Sequence, residues 1–272
     1  MSPLVFITGA SSGIGQALAL RYYQAGWRVA LVARRADLMH NWATQLGWDA
    51  EQFRVFAADV SEPDSIIAAA EACLARWGVP QVVIANAGIS LGMDTAIRSD
   101  LKVLQRVLAT NVTGLAATFH PFIHAMQTQA NPHPAHAYTL VGIASVAGIR
   151  GLPGHAAYCA SKAAVISYCE SLRGELRASS GTQHTLAGVR VVTIAPGYID
   201  TPLTRKNRYP MPFLMSPDAF AQQAIRTIAQ GRSYRVIPWP MGVVAWLLRL
   251  LPNAWFDRLL QNQPRKHREP PA

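Results

Sequence analysis

The sequence predicts an α/β fold, a doubly wound parallel β-sheet of about seven strands with helices on both faces. Short runs rich in β-branched residues alternate with longer amphipathic stretches, which is the order of repeated strand–helix–strand units. Half of the 272 residues are hydrophobic and 15% are charged, so the chain can bury a large core. No repeat or linker-like segment interrupts the pattern, and we expect residues 1–272 to form a single domain.

The predicted elements alternate along the whole chain. Strands are expected where the short apolar runs lie, at 5–7, 28–32, 54–57, 82–84, 138–143, 190–194 and 234–237. Helices are expected at 15–24, 35–46, 63–76, 101–126, 156–178 and 216–230. The helix at 63–76 has a well-marked start, because Ser61 is a favourable N-cap residue and Pro63 suits the first helical turn.

A glycine-rich segment follows the first predicted strand. Residues 8–15 read TGASSGIG and lead into the first predicted helix. Glycines at this junction let the backbone approach a diphosphate, which the N–H groups and the dipole at the helix N-terminus then hold. The spacing GxxxGxG is not GxGxxG, and a glycine-rich tight turn without a ligand is the alternative for this motif alone. The segment therefore favours a dinucleotide site without proving it.

The end of the second predicted strand indicates which dinucleotide is bound. A site selective for NAD usually carries an acidic residue there, which binds the ribose hydroxyls. This chain has Ala33 followed by Arg34, whose guanidinium can donate several hydrogen bonds to a 2′-phosphate. The pair predicts NADP(H) as cofactor, and a solvated arginine at a helix start is the alternative.

Ser145, Tyr158 and Lys162 are the candidate catalytic residues. Tyr158 and Lys162 stand at i and i+4 of the helix predicted at 156–178, so they share one helix face. A phenol with an ordinary pKa of about 10 is a poor acid or base at neutral pH, and a nearby ammonium group lowers that pKa. The Ser145 hydroxyl can bind the carbonyl oxygen of a substrate. This set predicts acid/base chemistry on a carbonyl or alcohol.

Together these motifs resemble the short-chain dehydrogenase/reductase family. The resemblance rests on residues 8–15, Asn86-Ala87-Gly88, Asn111, Ser145, Tyr158-x-x-x-Lys162 and Pro196-Gly197, which occur in the family's order along almost the whole chain. It implies a Rossmann-type domain that transfers a hydride between NADP(H) and a carbonyl or secondary alcohol. The family often has a second serine where this chain has Ala144, but Ser145 keeps the usual distance from Tyr158.

The resemblance also implies a role for each site residue. Tyr158 is the acid/base, Lys162 holds the nicotinamide ribose and tunes Tyr158, Ser145 orients the substrate, and Asn111 anchors a water-linked proton relay. The cofactor would contact Gly9, Ser11, Ser12, Gly13, Ile14, Gly15, Arg34, Asp59, Val60, Asn86, Ala87, Gly88, Tyr158, Lys162, Pro196, Gly197 and Thr201. Among these, Asp59 and Val60 are assigned to the adenine and Thr201 to the nicotinamide carboxamide. Taken singly, several of these polar residues could instead be buried groups satisfied by backbone.

Two segments set the expectations about substrate and partners. Residues 202–217 form a proline-punctuated, mostly apolar substrate lid, and residues 238–272 form an apolar and basic C-terminal helical extension. The extension carries Trp239, Trp246 and Trp255 but is too short and interrupted to span a bilayer. Burial in a dimer interface or over the chain's own core is the simpler interpretation, and a helix pair at a membrane surface is the alternative. His155 is interpreted as a loop histidine hydrogen-bonded to water, and a position facing the substrate pocket is the alternative.

Composition narrows the remaining function classes. The net charge is +10. From Thr201 onward the sequence has eleven Lys and Arg residues and three acidic residues, a local excess of +8. This uneven charge and the lack of a reading motif argue against a nucleic-acid binder. The three cysteines lack metal-ligand spacing, so we expect no metal site. No leader is recognisable, and the sequence predicts a cytoplasmic protein. A peripheral position at the inner face of a membrane is the alternative. We expect the substrate to be a small-molecule carbonyl compound or alcohol and the protein to form a homo-oligomer, a dimer or a tetramer. The alternative to an enzyme is a non-catalytic NADP-binding protein or a membrane-associated scaffold.

Overall fold

The computed structural model describes residues 2–133, 135–179, 188–205, 207, 210–261, 266 and 268. Its strands are β1 (Leu4–Thr8), β2 (Arg28–Ala33), β3 (Phe53–Ala57), β4 (Val82–Ala85), β5 (Thr139–Ile143), β6 (Arg190–Pro196) and β7 (Tyr234–Ile237). They form one parallel sheet in the order β3-β2-β1-β4-β5-β6-β7. All seven predicted strands are confirmed, with ends that differ by one or two residues.

Helices cover both faces of this sheet. They are α1 (Gly13–Gln24), α2 (Ala36–Gln45), α3 (Pro63–Trp77), α4 (Leu101–Leu108), α5 (Gly114–Thr128), α6 (Ala156–Ser179), α7 (Pro217–Ala229), α8 (Trp239–Leu250) and α9 (Asn253–Leu260). Strand β1 is buried along its whole length, with Phe6 in the core under α3, α5 and α6 and Ile7 in the core under α1, α2 and α7. A strand buried on both faces has a continuous apolar sequence, which explains the LVFI run at 4–7.

The strand order places the site. The chain runs outward from β1 to β3 and then returns to β4 on the other side of β1. In open α/β sheets a crevice forms at such a reversal, beyond the carboxyl ends of the strands. The glycine-rich segment follows β1, residues 86–88 follow β4, and Ser145 follows β5, so all three predicted site segments reach this crevice.

The helix predicted at 101–126 is divided in two. A π-helical turn, Ala109–Thr113, separates α4 from α5 and carries Asn111 at its centre. Asn111 is held from outside the helix, because its Oδ1 accepts from Ile89 N at 2.8 Å and its Nδ2 donates to Ile89 O at 2.9 Å. A π turn of this kind is common at functional sites. Helical periodicity alone could not indicate it, since the tertiary contacts of one side chain stabilise it.

The start of α3 also differs from the prediction. The helix begins at Pro63 as expected, but Glu62 occupies the N-cap position and Ser61 does not cap it. The Ser61 hydroxyl donates instead to Asp59 Oδ1 at 2.7 Å. This hydrogen bond is charge-assisted, because its acceptor is an ionised carboxylate. The result is a tight turn at the end of β3, beside the crevice.

The C-terminal helices α8 and α9 pack with one face on the rest of the chain. Met241, Ala245 and Phe256 are buried on the inner face. Arg150 fastens the helix ends, because its guanidinium donates to Leu248 O, to Leu251 O at 2.8 Å and to Asn253 Oδ1 at 3.0 Å. In the described part of the chain, no helix is long and apolar enough to cross a bilayer.

Candidate active site

The glycine-rich segment between β1 and α1 forms the floor of the crevice. Gly9 and Gly13 have φ values of +69° and +58°, in the left-handed region where glycine is strongly favoured. Gly15 is required for space, because a Cβ built there would lie 2.3 Å from Gly9 O and 2.7 Å from Asn86 Nδ2. The segment can therefore bring its backbone to the crevice surface without side chains in the way. Gly15 itself packs beneath the loop and does not line the crevice.

Asn86 and Thr8 hold this segment in place. Asn86 Nδ2 donates to Thr8 O at 2.9 Å and to Gly9 O at 3.4 Å. In return the Thr8 hydroxyl accepts from Asn86 N at 3.1 Å and from Ala87 N at 3.2 Å. These bonds join the ends of β1 and β4 across the switch in strand order. The Asn86 side chain thus supports the crevice wall and its amide is already used within the protein.

A charged group of residues lies at the far end of the crevice, after β2 and β3. The Arg34 guanidinium is 3.7 Å from Asp59 Oδ2, and Arg34 is well exposed. An exposed pair at this distance stabilises little, so the guanidinium remains able to reorient. Arg35, which the sequence reasoning missed, donates to Ser11 Oγ at 3.4 Å and so reaches the glycine-rich segment. Its signal was present, since it adjoins Arg34 at the start of a helix.

Asp59 is kept ionised beside these arginines. Partial burial alone would raise its pKa, but hydrogen bonds from the side chain and backbone of Ser61 and the charge of Arg34 outweigh burial and lower it. One carboxylate oxygen is occupied by Ser61 in the turn described above. The other faces Arg34. This end of the crevice therefore has two guanidinium groups and one carboxylate, with a net positive charge.

Tyr158, Lys162 and Ser145 meet where β5 ends and α6 begins. Lys162 Nζ is 5.8 Å from the centre of the Tyr158 ring and donates to Ile143 O at 2.8 Å. Ser145 Oγ accepts from Ala147 N at 3.2 Å and is also hydrogen-bonded to the Tyr158 hydroxyl. The i, i+4 spacing predicted from the sequence is confirmed as a shared helix face, and the β5 end brings the serine to it.

Burial dominates the protonation of this pair. Burial raises the pKa of Tyr158, and the hydrogen bond with Ser145 opposes only part of that effect. Burial lowers the pKa of Lys162 to about 8. The expected lowering of the phenol pKa by the lysine is therefore absent in the chain by itself. The physical reason is that desolvation disfavours the charged form of both groups.

Asn111 lies behind the crevice wall and does not line it. Besides its bonds to Ile89, its Nδ2 donates to Ser161 Oγ at 2.9 Å, and Ser161 Oγ donates to Tyr158 O at 2.7 Å. A Cβ built on Gly88 would lie 3.2 Å from Asn111 Oδ1 and 3.5 Å from Lys162 Nζ. Asn111 and Lys162 thus flank the same backbone position. The asparagine amide is satisfied by the protein, which was the alternative interpretation of this residue.

The crevice is large enough for an extended ligand. It encloses about 1700 Å³ of space, part of it open to solvent. Its lining includes every predicted site residue except Gly15 and Asn111, namely Gly9, Ser11, Ser12, Gly13, Ile14, Arg34, Asp59, Val60, Asn86, Ala87, Gly88, Ser145, Tyr158, Lys162, Pro196, Gly197 and Thr201. Arg35, Arg106 and Thr110 also line it and were not predicted. No local motif marks Arg106 and Thr110, since only the packing of α4 and the π turn brings them there.

A second cavity of about 860 Å³ opens beside the first and shares Ser145 and Tyr158 with it. Its walls are mostly apolar and come from the predicted lid and from α8 and α9, through Ile149, Leu152, Leu203, Met241, Val244, Leu248 and Phe256. His155 lines it and is only 6% exposed, so the prediction of a solvated loop histidine is wrong. Burial lowers the pKa of His155, and its Nδ1 lies 3.1 Å from Pro153 O. Lys206, Arg208, Arg265 and His267, part of the expected basic cluster, lie outside the described residues.

A glycine-rich crevice lies where the strand order of this parallel sheet reverses, and the Ser-Tyr-Lys group joins it to an apolar cavity. This combination defines a class of oxidoreductases. A family model described as short chain dehydrogenase matches residues 3–211. The chain belongs to this family. The sequence motifs and the matched region agree on that assignment.

One relative is an oxidoreductase over nearly the whole chain, and two solved structures show the same fold. An uncharacterised oxidoreductase of Myxococcus xanthus is 37% identical over 254 residues, covering 92% of this chain and 93% of the relative. A short-chain dehydrogenase/reductase of Burkholderia phymatum in complex with NAD superposes with a TM-score of 0.78 at 22% identity, covering 100% of this chain and 98% of that one. An alcohol dehydrogenase of Thermococcus sibiricus complexed with 5-hydroxy-NADP superposes with a TM-score of 0.70 at 22% identity, covering 87% and 96%.

Proposed function

We propose that this protein is an NADP(H)-dependent reductase that interconverts a carbonyl compound and the corresponding alcohol. The observation that carries the proposal is the position of Tyr158 and Ser145, which line both the long crevice and the apolar cavity. A cofactor in the first space and a substrate in the second would meet at these two residues. The neighbouring ammonium of Lys162 completes the group.

The crevice fits a nicotinamide dinucleotide. A Cβ at position 9, 13 or 15 would press on neighbouring protein atoms, so glycines let this segment pack closely along the crevice. The segment ends at the N-terminus of α1, where N–H groups favour a diphosphate. The bound nicotinamide supplies or accepts the hydride. Lys162 would hold its ribose, Thr201 its carboxamide, and Asp59 and Val60 the adenine end. Thr201 packs directly on Gly13, with its Cγ2 at 3.0 Å from a Cβ built there.

The charged end of the crevice supports NADP(H) over NAD(H). Ala33 offers no carboxylate to ribose hydroxyls, while Arg34 and Arg35 bring two guanidinium groups to the same region. Guanidinium groups bind phosphate through paired, charge-assisted hydrogen bonds. Among the structural neighbours, both an NAD complex and an NADP-analogue complex occur, so the preference for NADP(H) rests on these arginines.

The chain's own residues supply the proton chemistry. In reduction, the Tyr158 hydroxyl donates its proton to the substrate oxygen, and Ser145 donates a hydrogen bond that orients this oxygen. Lys162 then helps to return a proton to Tyr158. Asn111 would be the inner anchor of a water-linked relay, because its Oδ1 and Lys162 Nζ lie near the same face of Gly88. Through Ser161, Asn111 also fixes the turn of α6 that carries Tyr158.

The decisive test is Tyr158→Phe. We expect turnover of an aldehyde panel with NADPH to fall by about two orders of magnitude or more, because general acid/base catalysis contributes on that scale. The NADPH dissociation constant, measured by fluorescence titration, should stay nearly unchanged because the ring keeps its packing. Lys102→Gln is the control, since Lys102 is exposed on α4 and lines neither cavity. Turnover near the wild-type level in Tyr158→Phe would refute the mechanism.

The domain organisation completes the proposal. Residues 1–272 act as one domain, with 202–217 as the substrate lid and 238–272 as an extension that closes the substrate cavity. Leu203, Thr204 and Asn207 of the lid line that cavity, and so do Met241 and Phe256 of the extension. Substrate selection therefore depends on both segments.

The outer face of α8 and α9 supports a membrane contact in addition. Trp239, Trp246 and Trp255 are 66%, 61% and 71% exposed, and Arg249 and Arg258 are exposed beside them. Exposed tryptophans with flanking cations suit the surface of an anionic bilayer. A symmetric dimer through the same face would instead bring like charges together. We therefore favour a peripheral contact with a lipid surface for a cytoplasmic protein, while a homo-oligomer, dimer or tetramer, stays a prediction from the sequence.

A further inference from the structure

The charge of the substrate cavity is one-sided. Its described lining contains two basic side chains that carry a full charge, Arg150 and Lys266, and no Asp or Glu. His155 also lines it, but burial lowers its pKa and favours the neutral ring. Apolar walls around charges of one sign strengthen their field, because little solvent screens them. The cavity is therefore suited to a ligand that is apolar in part and anionic in part.

Arg150 is already occupied within the protein. Its guanidinium donates to two backbone carbonyls at the end of α8 and to Asn253 Oδ1, as described above. Its Cζ also lies 3.8 Å from the centre of the Phe256 ring. Through these contacts Arg150 holds α8 and α9 against the rest of the chain. It adds positive potential to the cavity, but its guanidinium is already fixed by three acceptors and the Phe256 ring, which limits how its two remaining N–H donors can meet a ligand.

Lys266 differs from Arg150 in this respect. Its Nζ donates to Asn207 Oδ1 at 2.8 Å and to Leu203 O at 3.3 Å, both uncharged acceptors. An ammonium has three donors, and contacts with described residues use two of them. Among the described residues no carboxylate lies within ion-pair distance of Lys266, and its partial burial lowers its pKa. A partly buried cation that no described carboxylate neutralises is a favourable place for an anion.

The position of Lys266 is fixed by its neighbours. Arg268, two residues further on, forms a two-pronged ion pair with Asp100, at 2.8 and 2.9 Å. Asp100 also accepts from Asp94 N at 2.7 Å. The lid therefore binds the Lys266 ammonium, and Asp100 binds the side chain of Arg268. This arrangement keeps the ammonium at the cavity in a defined place.

We propose that Lys266 binds an anionic group of the substrate, so that the substrate is a carbonyl compound or alcohol with an apolar body and a carboxylate or similar anion at a distance from the reacting carbon. This inference rests on the proposed function, which places the reacting carbon at Tyr158. It makes Lys266, in the C-terminal segment, a specificity-determining residue. Binding of the anion restores the pKa of Lys266 toward its ordinary value and satisfies its third donor.

Matched substrate pairs test the inference. The probes are straight-chain ω-oxo carboxylates and the neutral n-alkanals of the same carbon number, assayed with NADPH and the full-length protein. For the best chain length we expect kcat/KM to favour the carboxylate by about tenfold or more, the range for a charge-assisted contact. Lys266→Gln should remove most of this preference through KM, and Lys266→Arg should retain part of it. Lys102→Gln, an identical change at an exposed lysine, should not alter it.

The neutral alkanals separate recognition from a merely structural role. If Lys266→Gln lowers kcat/KM equally for the ω-oxo carboxylate and the neutral alkanal, Lys266 only stabilises the position of the lid, and the inference is overturned. Equilibrium binding of the ω-hydroxy carboxylate to the enzyme–NADPH complex, in which no hydride can be transferred, is measured by calorimetry and needs no turnover. Equal dissociation constants for wild type and Lys266→Gln, or no binding to wild type, also overturn it. Absence of turnover with any aldehyde, together with normal carboxylate binding, counts against the proposed function and leaves the anion site standing.

Discussion

At Lys162, a buried ammonium group donates to the backbone carbonyl of Ile143 beside the catalytic phenol. Burial lowers its pKa to about 8, well below the value of 10.5 for an ordinary lysine. The protein therefore tolerates a charge at neutral pH that its own packing disfavours. Such a group is more often explained by function than by stability, because a bound cofactor or substrate can use the charge.

This burial predicts a pH dependence of stability. Between pH about 8 and 10.5 the unfolded chain holds the Lys162 proton and the folded chain releases it, so this contribution to the free energy of unfolding rises with pH. At about 1.4 kcal/mol per pKa unit the full rise is about 3 kcal/mol. We expect the difference between wild type and Lys162→Met, measured by denaturant unfolding without cofactor, to grow by an amount of this order.

The difference between the two proteins isolates Lys162. The buried groups of Tyr22 and Cys73 have raised pKa values that do not depend on Lys162, and they destabilise both proteins alike at alkaline pH. Their contribution cancels in the comparison. A difference that stays constant from neutral to alkaline pH would show that Lys162 does not titrate as its burial indicates.

The arginines after β2 predict cofactor preference. We expect wild type to bind NADPH more tightly than NADH. Replacing both residues, Arg34→Ala with Arg35→Ala, should reduce that preference by about 1.5 to 3 kcal/mol for each charged hydrogen bond to the phosphate that is removed. The NADH dissociation constant serves as the internal control, because NADH lacks the 2′-phosphate and should bind all variants similarly. Fluorescence titration measures both. Equal affinity of wild type for the two cofactors would remove these arginines from the site.

At the scale of elements, α8 and α9 join the substrate cavity to the C-terminal extension. Their inner face supplies a wall of the cavity and their outer face meets solvent. The contacts of Arg150 at the end of α8 and the start of α9 hold this wall against the turn after β5. The carbonyls at a helix C-terminus lack intrahelical partners, so a cation there is favourable. One arginine thus couples the extension to the catalytic segment.

Arg150→Met tests this coupling. Methionine keeps an unbranched side chain of similar reach but leaves the carbonyls of Leu248 and Leu251 without their donor. We expect the free energy of unfolding to fall by about 1 to 3 kcal/mol, the range for removing hydrogen bonds to a charged group. The KM for aldehydes should rise because the cavity wall loosens, while NADPH affinity should not change, since Arg150 does not line the crevice. An unchanged KM would show that the wall holds without Arg150.

At the scale of the whole molecule, apolar surface and basic charge coincide at one end of the chain. The largest exposed hydrophobic side chains include three tryptophans of α8 and α9, and the excess of +8 lies from Thr201 onward. A soluble monomer seldom leaves such a surface uncovered. The opposite faces of the same helices close the substrate cavity, so removing the extension would also damage the site. Point substitutions on the outer face are the better test.

We expect wild type to co-sediment with vesicles containing phosphatidylserine and the double variant Trp246→Ser, Trp255→Ser to stay in solution. Added salt should weaken wild-type binding, because it screens the contacts of Arg249 and Arg258. Aldehyde turnover in solution should be similar for both proteins, since neither tryptophan lines the cavities. If wild type ignores the vesicles and the double variant instead has a lower mass by light scattering, the face binds a second copy and the lipid proposal is wrong.

Most of the fold and the core of the candidate site could be predicted from the sequence. The strands, the glycine-rich segment and the helix carrying Tyr158 and Lys162 depend on residues close together in the chain, so their patterns are visible without a structure. The predicted doubly wound parallel sheet is confirmed, and it follows from the alternation of strands and helices and from the handedness of their connections. The resemblance of the motifs supplied the residue roles that spacing alone could not.

Other features depend on contacts between residues far apart in the chain. The π turn around Asn111 depends on Ile89 and Ser161, and the wall formed by α8 and α9 depends on Arg150, about a hundred positions earlier in the chain. The placement of Lys266 beside Asn207 is of the same kind. The sequence by itself therefore determined the elements, the family motifs and the chemistry of the reacting group. Only the tertiary structure decided the shape and charge of the substrate cavity, because long-range packing brings these side chains together and no local pattern encodes it.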